Sequence, residues 1–263
     1  MLKKLLKYDL KWIYSAIIVF YILALVFSVI ARVCLSVENS LLFEVLGKIA
    51  QGTAISMIVS SIINCLMRSW VRFVRNVYKD ESYLTHTLPV KKGTIYLSKV
   101  LASIICTFTS IIVTLIVLFI CYYSKGNMEV LKELLSFAAN TYNTTVINFI
   151  LVISLVIFFE LLFIILIGYT GIIIGHRANN GKMVKSVIVS FALYMATQLV
   201  TLGAIYIVAL CNSDVMNLIN TTEAISMDAV KVLMYVAIGI YGMYNLGYYM
   251  LGKHILNKGV NVD

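Results

Sequence analysis

The sequence is poor in charged residues and in residues that break helices. Only 13% of its 263 residues are charged and it holds a single proline, Pro89, whereas 61% are hydrophobic and the mean hydropathy is +0.96. A soluble domain of this size needs more polar surface than that. Because so few residues interrupt them, apolar runs of roughly 20 residues predict membrane-spanning helices rather than the short alternating strands of a β-barrel.

The sequence also lacks the motifs of a self-sufficient enzyme or pump. The nearest match to a nucleotide-binding loop, from Gly175 to Lys182, has five residues between its glycines and Met183 where Ser or Thr is required. Neither an H-E-x-x-H motif nor a G-x-S-x-G motif is present, and the five cysteines form no C-x-x-C pair. We therefore predict no catalytic site and no metal site, and any ATP hydrolysis must be supplied by another chain.

Six apolar runs are long enough to cross a bilayer, and we predict spans at about 13–35, 49–71, 95–123, 145–174, 187–211 and 229–251. Leucines and lysines recur at helical spacing in residues 1–12, which predicts an amphipathic helix at the membrane surface. A plain basic flank to the first span is the alternative. A short helix is predicted around 128–139, and 212–228 is predicted to be a loop. Because no repeat or linker divides the chain, we predict that residues 1–263 form a single all-α membrane domain.

The distribution of basic residues predicts the orientation of the chain. Of the 21 Lys and Arg residues, 16 fall in the N-terminal segment, in 68–99, in 177–185 and in the tail, and 5 fall on the other side. Because cytosolic segments carry the excess of Lys and Arg, we expect both termini to be cytosolic. The net charge of +9 then comes from basic residues at the ends of the spans, where they are attracted to anionic lipid. No nucleic-acid partner is expected.

Polar side chains within the spans indicate helix faces that avoid lipid. Those of spans 2 and 5 recur at helical spacing, and the candidates for a transport path or a subunit interface are Ser56, Ser60, Asn64, Ser190, Tyr194 and Gln198. Internal helix packing is the alternative, because hydroxyls also bond to their own backbone. In span 4, Glu160 either lines a path or bonds a neighbouring helix while protonated. Gly171 and Gly175 form a G-x-x-x-G motif that allows close helix approach.

Residues 78–92, which we call the docking segment, form a polar interval between spans 2 and 3. Residues 80–82 can cap a short helix, and Pro89 would end or kink it. Three apolar side chains are spaced to share a face of that helix, and they are Tyr83, Leu84 and Leu88. Apolar groups beside charges in a cytosolic segment are typical of a protein-docking surface. The alternative is a short helix that rests on the membrane surface.

From Asp80 to Lys92 the sequence reads DESYLTHTLPVKK, and Ser98-Lys99 follows at the start of the next span. This pattern resembles the DEGYL-T-TLPV…SK signature of ABC-2-type transporter permeases. Ser82 stands where glycine is usual, so that one small residue replaces another. The resemblance extends over the whole chain, since the basic N-terminal helix, the six spans and the short tail also fit.

The resemblance implies a non-catalytic permease subunit of an ATP-driven exporter in a bacterial plasma membrane. It implies a second permease subunit, identical or different, and a separate cytosolic ATPase that binds ATP and Mg²⁺, so that no cofactor is expected in this chain. The ATPase-coupling residues that it implies are Asp80, Glu81, Tyr83, Leu84, Thr85, Leu88 and Pro89. The expected substrate is amphipathic, such as a peptide or an antimicrobial compound. An ion-coupled transporter or a membrane sensor that uses Glu160 is the alternative.

Overall fold

The computed structural model describes residues 1–37, 40–123, 129–130, 132–133, 135–137, 145–220 and 227–259, and over these residues it contains helices and no strand. The long helices are α1 (Leu2–Leu35), α2 (Leu41–Val77), α4 (Lys92–Tyr122), α5 (Val146–Gly175), α6 (Lys182–Cys211) and α8 (Met227–Lys258), and the short ones are α3 (Ser82–Thr87) and α7 (Ser213–Asn220). All six long helices are apolar enough to cross a membrane. The prediction of an all-α, multi-pass membrane protein is thereby confirmed.

The helices at the N-terminal end are longer than the predicted spans. No break separates residues 1–12 from the first span, because α1 is continuous over 34 residues. A helix of that length is about 51 Å long, whereas the hydrocarbon core of a bilayer is about 30 Å thick. Part of α1 must therefore extend beyond the hydrocarbon. The same holds for α2, which has 37 residues and continues past the predicted end at residue 71.

The predicted loop 212–228 contains the helix α7. Its first turn is capped by Asn212, whose Oδ1 accepts hydrogen bonds from the backbone N–H groups of Asp214 at 3.0 Å and Val215 at 3.2 Å. Asparagine at this position is a strong helix-start signal that the hydropathy pattern alone does not use. The short helix predicted around 128–139 lies largely outside the described residues, of which 129–130, 132–133 and 135–137 are helical.

Contacts between the helices group them into two compact units, and the first contains residues 1–76 and 83–133. Here α1 and α4 pack together with α2 around two apolar clusters. One cluster consists of Ile13, Ile17, Tyr21, Cys65, Ala102 and Cys106, and the other of Ala24, Ala54, Ile58, Val117 and Cys121. Small side chains at these contacts allow the three helices to approach closely, as is usual for helices in membranes.

The second unit contains residues 77–82 and 134–263, and in it α5 packs against both α6 and α8. Gly171 and Gly175 of α5 lie directly against α6. A Cβ atom on Gly171 would lie 2.8 Å from the Cα of Ser190, and one on Gly175 would lie 2.5 Å from the Cα of Ser186. No side chain fits at such distances, so the close approach predicted from the G-x-x-x-G motif is confirmed.

Candidate functional site

The helix α3 of the docking segment has an inverted polarity. Tyr83 and Leu84 are 69% and 74% exposed, whereas Ser82 and Thr85 are buried. A helix that folds for its own stability turns its apolar side chains inward, so this arrangement leaves apolar groups available to another molecule. At the rim of this surface, Asp80, Leu88 and Pro89 are exposed and Glu81 is half-buried.

The docking segment turns sharply after α3. The Thr87 hydroxyl donates a hydrogen bond to the Leu84 carbonyl at 2.9 Å, and the Val90 N–H donates to the Leu88 carbonyl at 2.7 Å across Pro89. Proline has no N–H to continue a helix and restricts the residue before it to extended geometry. The sequence-based expectation that a short helix starts near residue 82 and ends before Pro89 is confirmed.

The start of the docking segment is fixed within the second unit. Tyr78 is 2% exposed, and its ring lies 4.2 Å from the ring of His176, centroid to centroid. The Nδ1 atom of His176 lies 2.9 Å from the Ile172 carbonyl and 3.2 Å from the Ser186 hydroxyl. Burial raises the pKa of the Tyr78 phenol, an effect that the positive charge of Arg177 offsets only in part. The phenol therefore stays protonated at neutral pH.

A buried cluster of charges in the first unit joins three helices, and sequence reasoning missed its centre. Asp9 of α1 is 1% exposed. Its carboxylate accepts hydrogen bonds from Arg72 Nε at 3.1 Å, from Ser98 Oγ at 2.6 Å and from Lys99 Nζ. Arg72 lies near the end of α2, and Ser98 and Lys99 lie near the start of α4. We call these four residues the Asp9 cluster.

Aromatic and cationic side chains extend the Asp9 cluster along α1 and α2. The guanidinium carbons of Arg68 and Arg72 lie 4.7 and 5.5 Å from the centroid of the Trp12 ring. Arg68 also donates hydrogen bonds to the Trp12 carbonyl at 3.2 Å and to the Ser15 hydroxyl at 3.3 Å. Cations over an indole ring are held by its negative face, so Trp12 helps to align both arginines with α1.

A signal for Asp9 is present in the sequence. It is the one acid among the lysines of residues 1–12, and it begins the buried stripe of α1 that continues at i+4 through Ile13, Ile17 and Tyr21. A carboxylate in the register of a buried face needs a cationic partner. Its partners are 63 to 90 residues away along the chain, however, and no periodicity identifies contacts at such separations.

The polar stripe predicted on span 2 takes little part in the packing of the first unit. The Ser56 hydroxyl donates to the Gly52 carbonyl and the Asn64 amide donates to the Ser60 carbonyl, each at 2.9 Å and each within α2. Ser56 is exposed, and Ser60 and Asn64 are half-buried. These side chains therefore remain accessible on the helix surface, and their path-lining or interface role stays a prediction.

The polar stripe predicted on span 5 packs inside the second unit over much of its length. Ser186 and Ser190 lie against the glycines of α5, and the Thr197 hydroxyl lies 2.7 Å from the Tyr248 hydroxyl. Tyr194 is 38% exposed and Gln198 is half-buried. The hydroxyls of this stripe thus supply helix packing, while Tyr194 and Gln198 keep accessible surface. A role for these residues in a path or an interface also stays a prediction.

Glu160 lies near the middle of α5 and its side chain is exposed. Neither a hydrogen bond nor an ion pair to its carboxylate exists among the residues that the structure describes. It interacts electrostatically with Tyr241 of α8. A carboxylate at the centre of a bilayer is costly without partners, so an accessible Glu160 is a second candidate for function.

No family model, no curated protein sequence and no solved structure matches this chain.

Proposed function

We propose that this protein is the permease subunit of an ATP-driven exporter of the ABC-2 type. It has no hydrolytic site of its own in this proposal. A cytosolic ATPase, which binds ATP and Mg²⁺, docks on the docking segment and drives the export of an amphipathic substrate such as a peptide or an antimicrobial compound. Two permease subunits pair in a bacterial plasma membrane, as a homodimer or a heterodimer, and both termini and the docking segment face the cytosol.

The observation that carries the proposal is the inverted polarity of α3. Tyr83 and Leu84 together leave a large apolar area exposed, while Ser82 and Thr85 are buried. Burial of apolar area in a partner's groove contributes about 25 cal/mol for each Å² removed from water. The acidic residues Asp80 and Glu81 lie beside this apolar area and supply a polar rim, which is the usual anatomy of a protein interface.

The Asp9 cluster supports a mechanical role for the docking segment. A push on α3 can only move the spans if its flanking helices are held firmly. Arg72 precedes the docking segment and Lys99 follows it, and both bind the carboxylate of Asp9. Since a buried ion pair with further hydrogen bonds fixes its members in one arrangement, α1, α2 and α4 would move together at this end. In the proposal, residues 1–12 of α1 lie at the cytosolic membrane surface.

The test is co-purification of the ATPase with permease variants. Leu84→Asp and Glu81→Lys each change the docking surface without touching a span, so we expect both proteins to reach the membrane and to lose the ATPase. The matched control is Leu41→Asp, since Leu41 is 80% exposed at the opposite end of α2. If the ATPase still co-purifies with both docking variants, the docking role is wrong. A neighbouring reading frame that encodes a phosphate-loop ATPase identifies the partner to be co-expressed.

The accessibility of Glu160 favours a second candidate, an ion-coupled transporter or a sensor. In that case Glu160→Gln abolishes activity, whereas depletion of ATP has no effect as long as the ion gradient is maintained. The exporter predicts the opposite dependence on ATP. Transport assays in vesicles with clamped gradients therefore separate the two candidates.

A further inference from the structure

The surroundings of Glu160 form a site that the docking mechanism does not use. Glu160 is 14 residues from the start of α5 and 15 from its end, which places its Cα about 21 Å from either end of the helix. The helix α5 carries no lysine or arginine. The carboxylate is therefore at membrane depth, exposed, and without a hydrogen bond or ion pair among the described residues.

Aromatic rings lie near Glu160. Tyr241 of α8 interacts electrostatically with the Glu160 carboxylate, and Phe163, one helical turn after Glu160, is 1% exposed and lies at the centre of an aromatic cluster. Four tyrosines of α6 and α8 surround it, with ring centroids 5.4 Å (Tyr241), 5.6 Å (Tyr244), 5.9 Å (Tyr248) and 6.4 Å (Tyr194) from that of Phe163. The cluster thus brings three helices of the second unit together beside one acid.

Two of the four tyrosine hydroxyls form hydrogen bonds with the neighbouring helix, and the other two do not among the described residues. The hydroxyl of Tyr248 lies 2.7 Å from the Thr197 hydroxyl, and that of Tyr244 lies 3.2 Å from the Thr201 hydroxyl. In the described part of the chain, the hydroxyls of Tyr194 and Tyr241 have no hydrogen-bond partner. Two phenols therefore serve helix packing, whereas Tyr194, which is exposed, and Tyr241, which is half-buried, keep accessible surface.

Contacts between α5 and α8 hold this arrangement in place. The side-chain amide of Asn245 donates to the Phe159 carbonyl at 3.0 Å, and Asn245 is 8% exposed. A Cβ atom on Gly242 would lie 3.8 Å from the Phe159 ring, so the helices are already in contact there. Because Phe159 precedes Glu160 and Gly242 follows Tyr241, these contacts set the position of the tyrosine relative to the acid.

A carboxylate near aromatic rings is suited to one class of ligand. An ammonium or phosphonium group is attracted both by the negative charge and by the negative faces of the rings. Aromatic side chains and a position within the membrane favour a ligand whose cation is attached to an apolar body. An anion is repelled by the same groups. A neutral apolar molecule gains nothing from the carboxylate.

We propose that Glu160, Tyr241 and Tyr194 form a binding site for the cationic group of an amphipathic molecule, with the buried ring of Phe163 packed behind the tyrosines. This inference rests on the proposed function: if the protein is an exporter, the site identifies its substrate as a lipophilic cation. The binding event itself involves only the second unit. It requires neither ATP nor the ATPase.

The experiment measures equilibrium binding of radiolabelled tetraphenylphosphonium to the full-length chain in nanodiscs of zwitterionic lipid. The wild type is expected to bind this cation saturably and to bind neutral triphenylphosphine oxide much more weakly. Glu160→Gln should weaken binding of the cation about tenfold or more, because it removes the charge and keeps the shape. The matched control is Glu44→Gln, which removes an exposed acid that pairs with Lys48 near the start of α2.

The tyrosines give a second, independent readout. Tyr241→Ala should weaken binding several-fold because it removes an aromatic face, and Tyr241→Phe should have a smaller effect. Tyr248→Phe alters a phenol that bonds to Thr197 and should leave the affinity for the cation unchanged. All variants are first checked for a monodisperse elution profile.

The proposal is overturned if the wild type binds no tetraphenylphosphonium, if Glu160→Gln binds it as tightly as the wild type, or if the neutral probe binds equally well. It is also overturned if Glu160→Gln changes only the oligomeric state, since Glu160 then serves a subunit contact. None of these results affects the docking of the ATPase. Conversely, Leu84→Asp should lose the ATPase and keep the cation affinity, so the two proposals fail separately.

Discussion

Tyrosine hydroxyls join helices in both compact units, as Tyr21 does with Ser110 in the first and Tyr248 with Thr197 in the second, but the units differ in the surroundings of one carboxylate. In the first unit, a fully buried carboxylate, Asp9, binds two cations and a hydroxyl from two other helices. In the second unit, helices meet through glycines, serine and threonine hydroxyls, and tyrosine rings, and the carboxylate at their centre has no such partners in the described residues. The Asp9 carboxylate is thus fully engaged in helix packing, whereas the Glu160 carboxylate is accessible.

The difference predicts how each unit responds to substitution. Removal of one member of a buried ion cluster is costly, because the remaining charges stay buried and lose their opposite charge. Hydroxyl contacts in membranes contribute less, about 0.6 kcal/mol on average, since a hydroxyl can bond to its own helix instead. We therefore expect a steep loss of stability when Asp9 is changed and a smaller loss when a bonded hydroxyl is removed in either unit.

The largest effect is expected for Asp9→Asn. It leaves Arg72 and Lys99 buried opposite a neutral group, which should lower the free energy of unfolding by about 3–5 kcal/mol. The measurement is SDS-driven unfolding of the detergent-solubilised protein. The control Asp80→Asn alters an exposed acid and should change stability by about 0.5 kcal/mol or less. Equal stabilities of the two variants would show that the Asp9 cluster contributes nothing.

A double-mutant cycle sharpens this first prediction. Lys99→Met alone should also destabilise the protein, but Asp9→Asn combined with Lys99→Met should cost less than the sum of the two single changes. Residues that share an ion cluster show interaction energies of about 0.5–3 kcal/mol. Strict additivity in the same unfolding assay contradicts the contact between Asp9 and Lys99.

An intermediate effect is expected for Gly175→Ala in the second unit. The added methyl group would overlap Ser186, so α5 and α6 must separate, at a cost of about 1–3 kcal/mol. Gly239→Ala in α8 is the matched control, because a Cβ there meets no atom within 4 Å. The comparison uses thermal unfolding followed by size-exclusion chromatography. If both variants unfold at the same temperature as the wild type, the close contact between α5 and α6 is contradicted.

A smaller effect is expected for Thr197→Val, which removes the hydroxyl that lies 2.7 Å from that of Tyr248. The loss should be about 0.5–1.5 kcal/mol, the net contribution of an ordinary hydrogen bond. Thr114→Val is the control in α4, since among the described residues the Thr114 hydroxyl bonds to the Ser110 carbonyl of its own helix and to no other helix. If Thr197→Val is as stable as Thr114→Val, the contact between the Thr197 and Tyr248 hydroxyls does not stabilise the protein.

Cys65 and Cys106 offer a test of packing in the first unit that need not alter stability. Their sulfur atoms lie 2.7 Å apart on α2 and α4, and both side chains are buried. Mild oxidation with copper phenanthroline should therefore join them within one chain, with the loss of two protons and two electrons to the oxidant. Mass spectrometry of the digested protein detects the linked peptides. A Cys65–Cys121 product instead contradicts this pairing of α2 and α4.

The number and type of helices could be predicted from the sequence because a bilayer imposes length and hydropathy on each span. Local signals also sufficed for α3, whose end at Pro89 follows from the missing N–H. The helix α7 was missed because eight residues carry too little periodicity, although Asn212 marks its start. The ends of α2 were misjudged because polar residues continue that helix out of the apolar region, and for α1 the prediction missed only that residues 1–12 and the first span form one continuous helix.

The sites could be predicted only in part. Tyr83, Leu84 and Glu160 stand out by themselves, as apolar or charged residues in the wrong environment. Their partners do not, because contacts such as Asp9 with Lys99 or Glu160 with Tyr241 depend on how distant helices pack. A sequence thus identifies the unusual residue, and a structure is needed to show whether it is neutralised.

The most direct test of the docking role is photo-crosslinking in intact membranes from a benzophenone amino acid at position 84. Leu84 is 74% exposed on α3, so the probe should form an adduct with a soluble protein that contains a nucleotide-binding loop. The same probe at position 41, which is 80% exposed, should form none. An adduct of the position-84 probe with lipid alone, or with no soluble protein, contradicts the account.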